Sequence, residues 1–230
     1  MRWPPSRGGA PAVRSAVGAF VGTARSARAS ADLWIARVGE HLSRLDEYGR
    51  LLLSPDEQRR LTAYRSRESA ERYVVTRALV RVVLAERLGV VPSAIEIRHT
   101  ERGKPMLPQG LHFNVSHSGD LILLAVSTER AVGVDVERRR DVERVQALVN
   151  RWLTSEERDQ VARIAESGLS VSEAFLRVWS LKEARLKALG VGIAGAAGAA
   201  LDQVDVVPLD EVLEPLSSGD RGFVGAVAFA

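Results

Sequence analysis

Trp179-Ser180-Leu181-Lys182-Glu183-Ala184-Arg185-Leu186-Lys187 reads as the closing turns of a helix. That helix opens at Ser170-Val171-Ser172-Glu173, with Ser170 as its cap, and stops at Gly190. Glu183 and Lys187 are spaced i and i+4 and share a face. Trp179 lies one turn earlier on the same face. A surface ion pair worth well under 1 kcal/mol, with Trp179 in the core, is the plain reading of that spacing. Lys182 lies about 100° round the helix from Glu183 and need not serve the same site.

Lysine is rare here: Lys104, Lys182 and Lys187 are the only three among 32 basic residues. A chain so biased toward arginine keeps lysine where a compact, rotatable point charge and a rigid planar fork are not equivalent. Chance placement is the alternative. Each lysine falls in a segment that looks like part of a site. Lys104 sits in Gly103-Lys104-Pro105, a turn preceding Phe113-Asn114-Val115-Ser116-His117-Ser118-Gly119. Between that string and the helix lies Gly133-Val134-Asp135-Val136-Glu137. On a strand, Asp135 and Glu137 point to one face about 6–7 Å apart. Two such carboxylates repel unless a positive group lies between them, and a hard cation such as Mg2+ takes oxygen ligands. A solvated strand end pairing with Arg138, Arg139 and Arg140 is the competing reading. Ser116 and His117, in a tight turn with exposed amides, suit an anion; a histidine that merely caps the turn is equally open. No G-x-S-x-G elbow supports a serine hydrolase.

Working outward, residues 31–38 read as a first strand. Ser54-Pro55-Asp56-Glu57 is a helix start with a capping box. That helix breaks near Arg65-Ser66 and resumes to Leu88, with Gly89 as its stop. Short strands fit 95–99, 113–116, 121–127 and 131–137. Thr154-Ser155-Glu156-Glu157 is a second capping box, for a helix ending near Gly168. Residues 192–200 read as a Gly/Ala-rich loop, and strands fit 203–207 and 223–229. Each half thus reads strand, helices, then strands. Arg59, Arg60, Arg67, Arg72, Arg77 and Arg81 line the first-half helices, for the most part as a solvated face; one or two of them suit a phosphate.

Of the 230 residues, 46% are hydrophobic and 27% charged, ordinary values for a globular protein. There is no cysteine, which removes disulfides, a cysteine nucleophile and thiolate metal sites and fits a reducing cytoplasm. No apolar run approaches a membrane span. Residues 1–30 hold five arginines and no acid; the remaining 200 residues carry 27 basic and 29 acidic side chains. The basic excess is therefore local, and the body is not built for nucleic acid. Residues 1–30 read as a disordered basic extension, 31–130 as an N-terminal half, and 131–230 as a C-terminal half.

Taken together, in order and spacing, Gly103-Lys104-Pro105, Phe113–Gly119, Gly133–Glu137 and Trp179–Lys187 resemble the 4′-phosphopantetheinyl transferases, in particular the Sfp type. The resemblance covers residues 31–230. It implies an α+β fold of two similar α/β halves related by a pseudo-twofold axis, with coenzyme A between them. It implies a monomeric cytoplasmic enzyme that moves phosphopantetheine from coenzyme A to a serine of apo acyl or peptidyl carrier proteins of secondary metabolism, releasing 3′,5′-ADP. The same chemistry on the fatty-acid carrier protein is the alternative, and a non-catalytic nucleotide or nucleic-acid binder a remote one. Neither a membrane nor nucleic acid is an expected partner. By position, Asp135, Glu137 and Glu183 would hold Mg2+, with Mn2+ as its substitute. Glu183 would be the base and Lys187 would steady the pyrophosphate. Ser116 and His117 would contact coenzyme A phosphates, Asp135 the pyrophosphate through the metal, and Lys104 and Pro105 the adenine and nearby phosphates. Arg60 and Arg72 would be candidates for the 3′-phosphate.

Overall fold

The computed structural model describes residues 17–108, 110–193, 195, 200–213 and 222–230. The strands are β1 (Ala19–Arg25), β2 (Ser30–Arg37), β3 (Arg98–His99), β4 (Pro105–Met106), β5 (His112–Ser118), β6 (Leu121–Ser127), β7 (Val132–Arg138), β8 (Asp205–Pro208) and β9 (Phe223–Phe229). The α-helices are α1 (Leu45–Leu51), α2 (Pro55–Leu61), α3 (Arg67–Leu88), α4 (Val145–Trp152), α5 (Ser155–Glu166), α6 (Val171–Leu189) and α7 (Asp210–Leu213).

Two antiparallel sheets carry the fold, one ordered β1-β2-β6-β5 and the other β7-β9-β8. β6 (LILLAVS) is buried along its whole length because it has an apolar neighbour on each face. Ile122, Leu124 and Val126 pack on Val75, Ala78 and Leu79 of α3. Leu121, Leu123 and Ala125 face the other way, onto Val132, Val134 and Val136 of β7 and Phe223, Val227 and Phe229 of β9. The far face of the second sheet, through Ala226 and Ala228, packs on Ala184 and Ala188 of α6. The layers therefore run helix, sheet, sheet, helix, with period-two alternation choosing each contact.

The helix boundaries follow local chemistry. Ser54 and Glu57 form a capping box at α2, and Thr154 and Glu157 form one at α5. Ser66 and Ser170 cap α3 and α6. Gly89 and Gly190 end those helices in the left-handed conformation, at φ 67° and 69°. The extension expected over residues 1–30 is corrected in its last part. Ala19–Arg25 is a strand paired antiparallel to β2, with a bulge between Phe20 and Gly22. Its Ala24, and Ala29 and Ala31 beside it, are buried in the inter-sheet core. Residues 1–16 lie outside the described residues, as does most of the loop expected over 192–200. The strand expected at 95–99 shrinks to Arg98–His99, because Pro92–Ala94 turn and Ile95 is drawn into the core.

Candidate active site

Gly133 brings the site together. A Cβ built there would lie 2.1 Å from the Ala184 carbonyl oxygen and 2.2 Å from the Ala188 nitrogen. Only glycine lets the axis of α6 come this close to β7. The approach sets Lys187, on α6, against Asp135, two residues along β7. Lys187 Nζ donates to Asp135 Oδ1 at 2.5 Å and to Ser116 Oγ at 3.1 Å. Ser116 Oγ in turn donates to Asp135 Oδ1 at 2.9 Å.

β5 reaches this cluster by an unusual route. It does not pair with β7 through its main chain. Instead its side chains at alternate positions accept β7 amides: Val134 N donates to Asn114 Oδ1 at 2.9 Å, Val136 N to Ser116 Oγ at 3.4 Å and Arg138 N to Ser118 Oγ at 3.0 Å. Donor and acceptor numbers differ by 20 each time, so the two strands run parallel. These are the amides that β7 does not present to β9. Ser118 Oγ also donates to Glu137 Oε2 at 3.1 Å, and Arg140 Nη1 donates to the same oxygen at 3.0 Å. Pairing with the arginine run thus accounts for Glu137. It does not account for Asp135, which is 5% exposed.

The electrostatics are those of crowded carboxylates. Burial pushes the Asp135 carboxyl above its ordinary range, against the pull of Lys187. Burial likewise pushes Glu183 up; Lys187 again opposes, while Asp135 and Glu137 add repulsion. Asp135 Oδ2 and Glu183 Oε1 are both buried without a hydrogen-bond partner. Unsatisfied buried carboxylate oxygens are costly and uncommon, and two on facing elements suit a hard cation. Among the described residues no three acidic or histidine side chains form a preassembled metal cluster; Lys187 is the positive charge already between them.

Two pockets lie beside the cluster on the first-half side. One, of about 170 Å³, is lined by Tyr64, Ser69, Arg72, Tyr73, Thr76 and His117. Thr76 Oγ1 is buried there without a partner. Loss of water on its protein-facing side, and then Arg72, hold the His117 imidazole below its usual pKa. The other pocket, of about 410 Å³, shares Tyr73 and includes Arg60, Arg77 and His99 in its lining. The two phosphate candidates Arg60 and Arg72 therefore stand in adjacent pockets, and Pro105 is the strand partner of His99, which lines the larger one. Arg77 and Arg81 are committed to Glu57; Arg81 also donates to the Pro92 and Ile95 carbonyls.

The remaining lysines are placed differently from their sequence neighbours. Lys182 Nζ pairs with Glu157 Oε2 at 2.7 Å and ties α6 to the capping box of α5. Lys104 Nζ donates to the carbonyls of Ala188, at 2.5 Å, and Val132, at 3.2 Å. Neither of the two pockets described above has it in its lining. Asn114, Ser118 and Gly133 were quoted in the sequence strings without roles. Polar residues at alternate positions, with Phe113 and Val115 between them, are the signal for the first two.

Two family models match the chain in succession. The one described as 4′-phosphopantetheinyl transferase, N-terminal, covers residues 46–129, and the 4′-phosphopantetheinyl transferase superfamily covers residues 131–218. The 4′-phosphopantetheinyl transferase HetI of Nostoc sp. is 33% identical over 167 residues, 70% of this chain and 69% of that protein. A phosphopantetheinyl transferase of Thraustochytrium sp. is 36% identical over 155 residues, 61% of this chain and 54% of that protein. The L-aminoadipate-semialdehyde dehydrogenase-phosphopantetheinyl transferase of Xenopus laevis is 32% identical over 153 residues, 61% of this chain. The match spans about half the length of these last two relatives, 54% and 50%. The matched segments define an enzyme of phosphopantetheine transfer. The chain belongs to the 4′-phosphopantetheinyl transferase superfamily, whose members use coenzyme A as substrate and act on apo carrier proteins.

Proposed function

We propose that this protein is an Sfp-type, Mg2+-dependent transferase that activates peptidyl or acyl carrier proteins of secondary metabolism. In this reading it is a monomer of the cytoplasm, and its two sheets with their helices are halves related by a pseudo-twofold axis. The observation that carries the proposal is the cluster in which Lys187 bridges Asp135 and Ser116 while Asp135 Oδ2 and Glu183 Oε1 are left unpaired.

Asp135, Glu137 and Glu183 are the residues that would hold the metal. Bound there, Mg2+ would neutralise the coenzyme A pyrophosphate. The chain's own groups account for the rest. Glu183, on the Lys187 face of α6, takes the proton of the incoming carrier serine. That serine oxygen bonds to the phosphorus nearest pantetheine as the bond to the adenosine-side phosphate breaks and 3′,5′-ADP departs. Lys187 opposes the charge gathering on the leaving phosphate. Ser116, bonded to both Lys187 and Asp135, fixes their geometry. Arg60, Arg72 and His117, lining the pockets, receive the nucleotide.

Intact-mass spectrometry of apo carrier proteins with coenzyme A and Mg2+ tests this. A phosphopantetheine gain on a peptidyl or polyketide carrier, abolished by EDTA, is expected. A gain only on a fatty-acid carrier would move the enzyme to that pathway. No gain, with no coenzyme A binding, would overturn the proposal.

A further inference from the structure

We propose that Lys104 is a positioning residue whose ammonium, held between the Ala188 and Val132 carbonyls, clamps the last turn of α6 to the start of β7 and so sets Lys187 against Asp135. The inference rests on the catalytic cluster assigned above. The resemblance would instead put this side chain on the nucleotide.

The last carbonyls of a helix have no partner within it. In α6, those of Leu186 and Lys187 accept from the Gly190 and Val191 amides. That of Ala188, the residue following Lys187, accepts from Lys104 Nζ at 2.5 Å. The same ammonium takes the Val132 carbonyl at 3.2 Å. Val132 precedes Val134, Val136 and Arg138 by steps of two on β7, so Lys104 continues the row of side-chain bonds that Asn114, Ser116 and Ser118 make to that strand. A positive charge at a helix C-terminus also opposes the helix dipole.

Two features make the clamp stiff. Lys104 sits in a turn closed by Gly103 at φ 85°, by its own amide on Thr100 Oγ1 at 3.0 Å, and by the Thr100 amide on its carbonyl at 2.9 Å. Its stem fills the space over Gly190, where a Cβ would lie 3.1 Å from Lys104 Cδ. Among the described residues no carboxylate pairs with the ammonium, and burial lowers its pKa to about 8. The two carbonyls take two of the three protons that the ammonium can donate. The guanidinium of arginine is a planar fork and does not reproduce a point charge between two carbonyls, which explains why lysine persists here in an arginine-rich chain.

Only three lysines exist, so 13Cε-lysine labelling gives three assignable NMR signals. In Lys104→Met, kcat should fall about tenfold or more with the KM for coenzyme A within about twofold, as expected for misplaced catalytic groups. The Lys187 signal should shift while that of Lys182, paired with Glu157, stays. The chain has no cysteine, so Lys104→Cys carries a single thiol. Alkylating it with 2-bromoethylamine restores an ammonium at nearly the same reach and should restore kcat. A raised KM with kcat and the Lys187 signal unchanged would overturn the clamp. If Lys104→Met unfolds, seen as the Lys182 signal moving to its unfolded position, the wild-type protein decides. On adding coenzyme A, Lys187 should shift and Lys104 should not; equal shifts would overturn the clamp. Absence of transfer by the wild type would sink the assigned function, whereas the Lys187 shift in Lys104→Met is read without any turnover.

Discussion

Gly133 faces the Ala184 carbonyl so closely that a methyl group on its Cα would lie 2.1 Å from that oxygen. The neighbour is main chain, which cannot swing aside as a side-chain tip would. Gly133→Ala must therefore push α6 off β7 and carry Lys187 away from Asp135. We expect a loss of about 1–3 kcal/mol in urea unfolding, the usual cost of overpacking. Transfer should fall further than the folded fraction does, because a displacement of about 1 Å can cost two orders of magnitude in rate. Full activity in Gly133→Ala would contradict the packing argument.

Glu183 and Asp135 make stability depend on pH. Their carboxyl pKa values, ordinarily 4.5 and 3.8, are both raised in the folded chain, chiefly by burial. The native state then keeps protons that the unfolded chain has released. It binds more protons across that window, so stability falls as pH rises from the ordinary carboxylate range through the raised values. Glu183→Gln removes one contributor. Its Tm at pH 7 should rise by about 2–4 °C and the pH slope should flatten, while transfer drops about 100-fold or more with the loss of the base. A variant that lost stability at pH 7 would show that Glu183 is not under electrostatic strain.

The two lysines of the closing helix should separate cleanly on substitution. Lys182→Met breaks a buried pair with Glu157, which keeps its bond to the Thr154 amide. We expect a loss of about 1–3 kcal/mol with coenzyme A turnover of the folded enzyme within about twofold. Lys187→Met should do the reverse. It removes the cation from the cluster and most of the transfer rate. Thermal melts beside steady-state rates would show the crossing, and parallel behaviour of the two would argue against their different assignments.

Arg81 is 2% exposed and meets Glu57, Pro92 and Ile95 together. Truncating one member of such a buried network leaves the others desolvated. Arg81→Ala should cost about 3–5 kcal/mol, enough to threaten folding at 37 °C. A melt shifted by only a degree or two would mean that water replaces the guanidinium.

Much of this architecture is written in short-range chemistry. Ser54 with Glu57 and Thr154 with Glu157 announce their helices because capping boxes satisfy amides locally. Gly89 and Gly190 mark helix ends for the same reason. α4 escapes such a reading: its N-cap is Arg144 at φ 52°, with no side-chain cap to signal a start. β1 escapes too, since the bulge at Gly22 breaks alternation and its flanks are Arg- and Ala-rich. In the site, Glu183 and Lys187 are legible from helical spacing, and Asp135 from strand spacing. The commitment of Ser116 to the cluster, and of Lys104 to two carbonyls, is not. Those depend on how β5 lies beside β7 and on what Gly133 permits, which are tertiary facts with no local signature.

The row formed by Asn114, Ser116 and Ser118 also bears on the margin of the second sheet. A strand at the margin of a sheet normally offers unpaired amides to any incoming chain, which is how aggregates begin. β7 is such a strand, yet its outward amides at Val134, Val136 and Arg138 are already taken by an amide oxygen and two hydroxyls. The chain thereby leaves an incoming strand no free amide at those three positions without building a continuous ladder, and Ser116, in the same row, also meets Lys187 and Asp135.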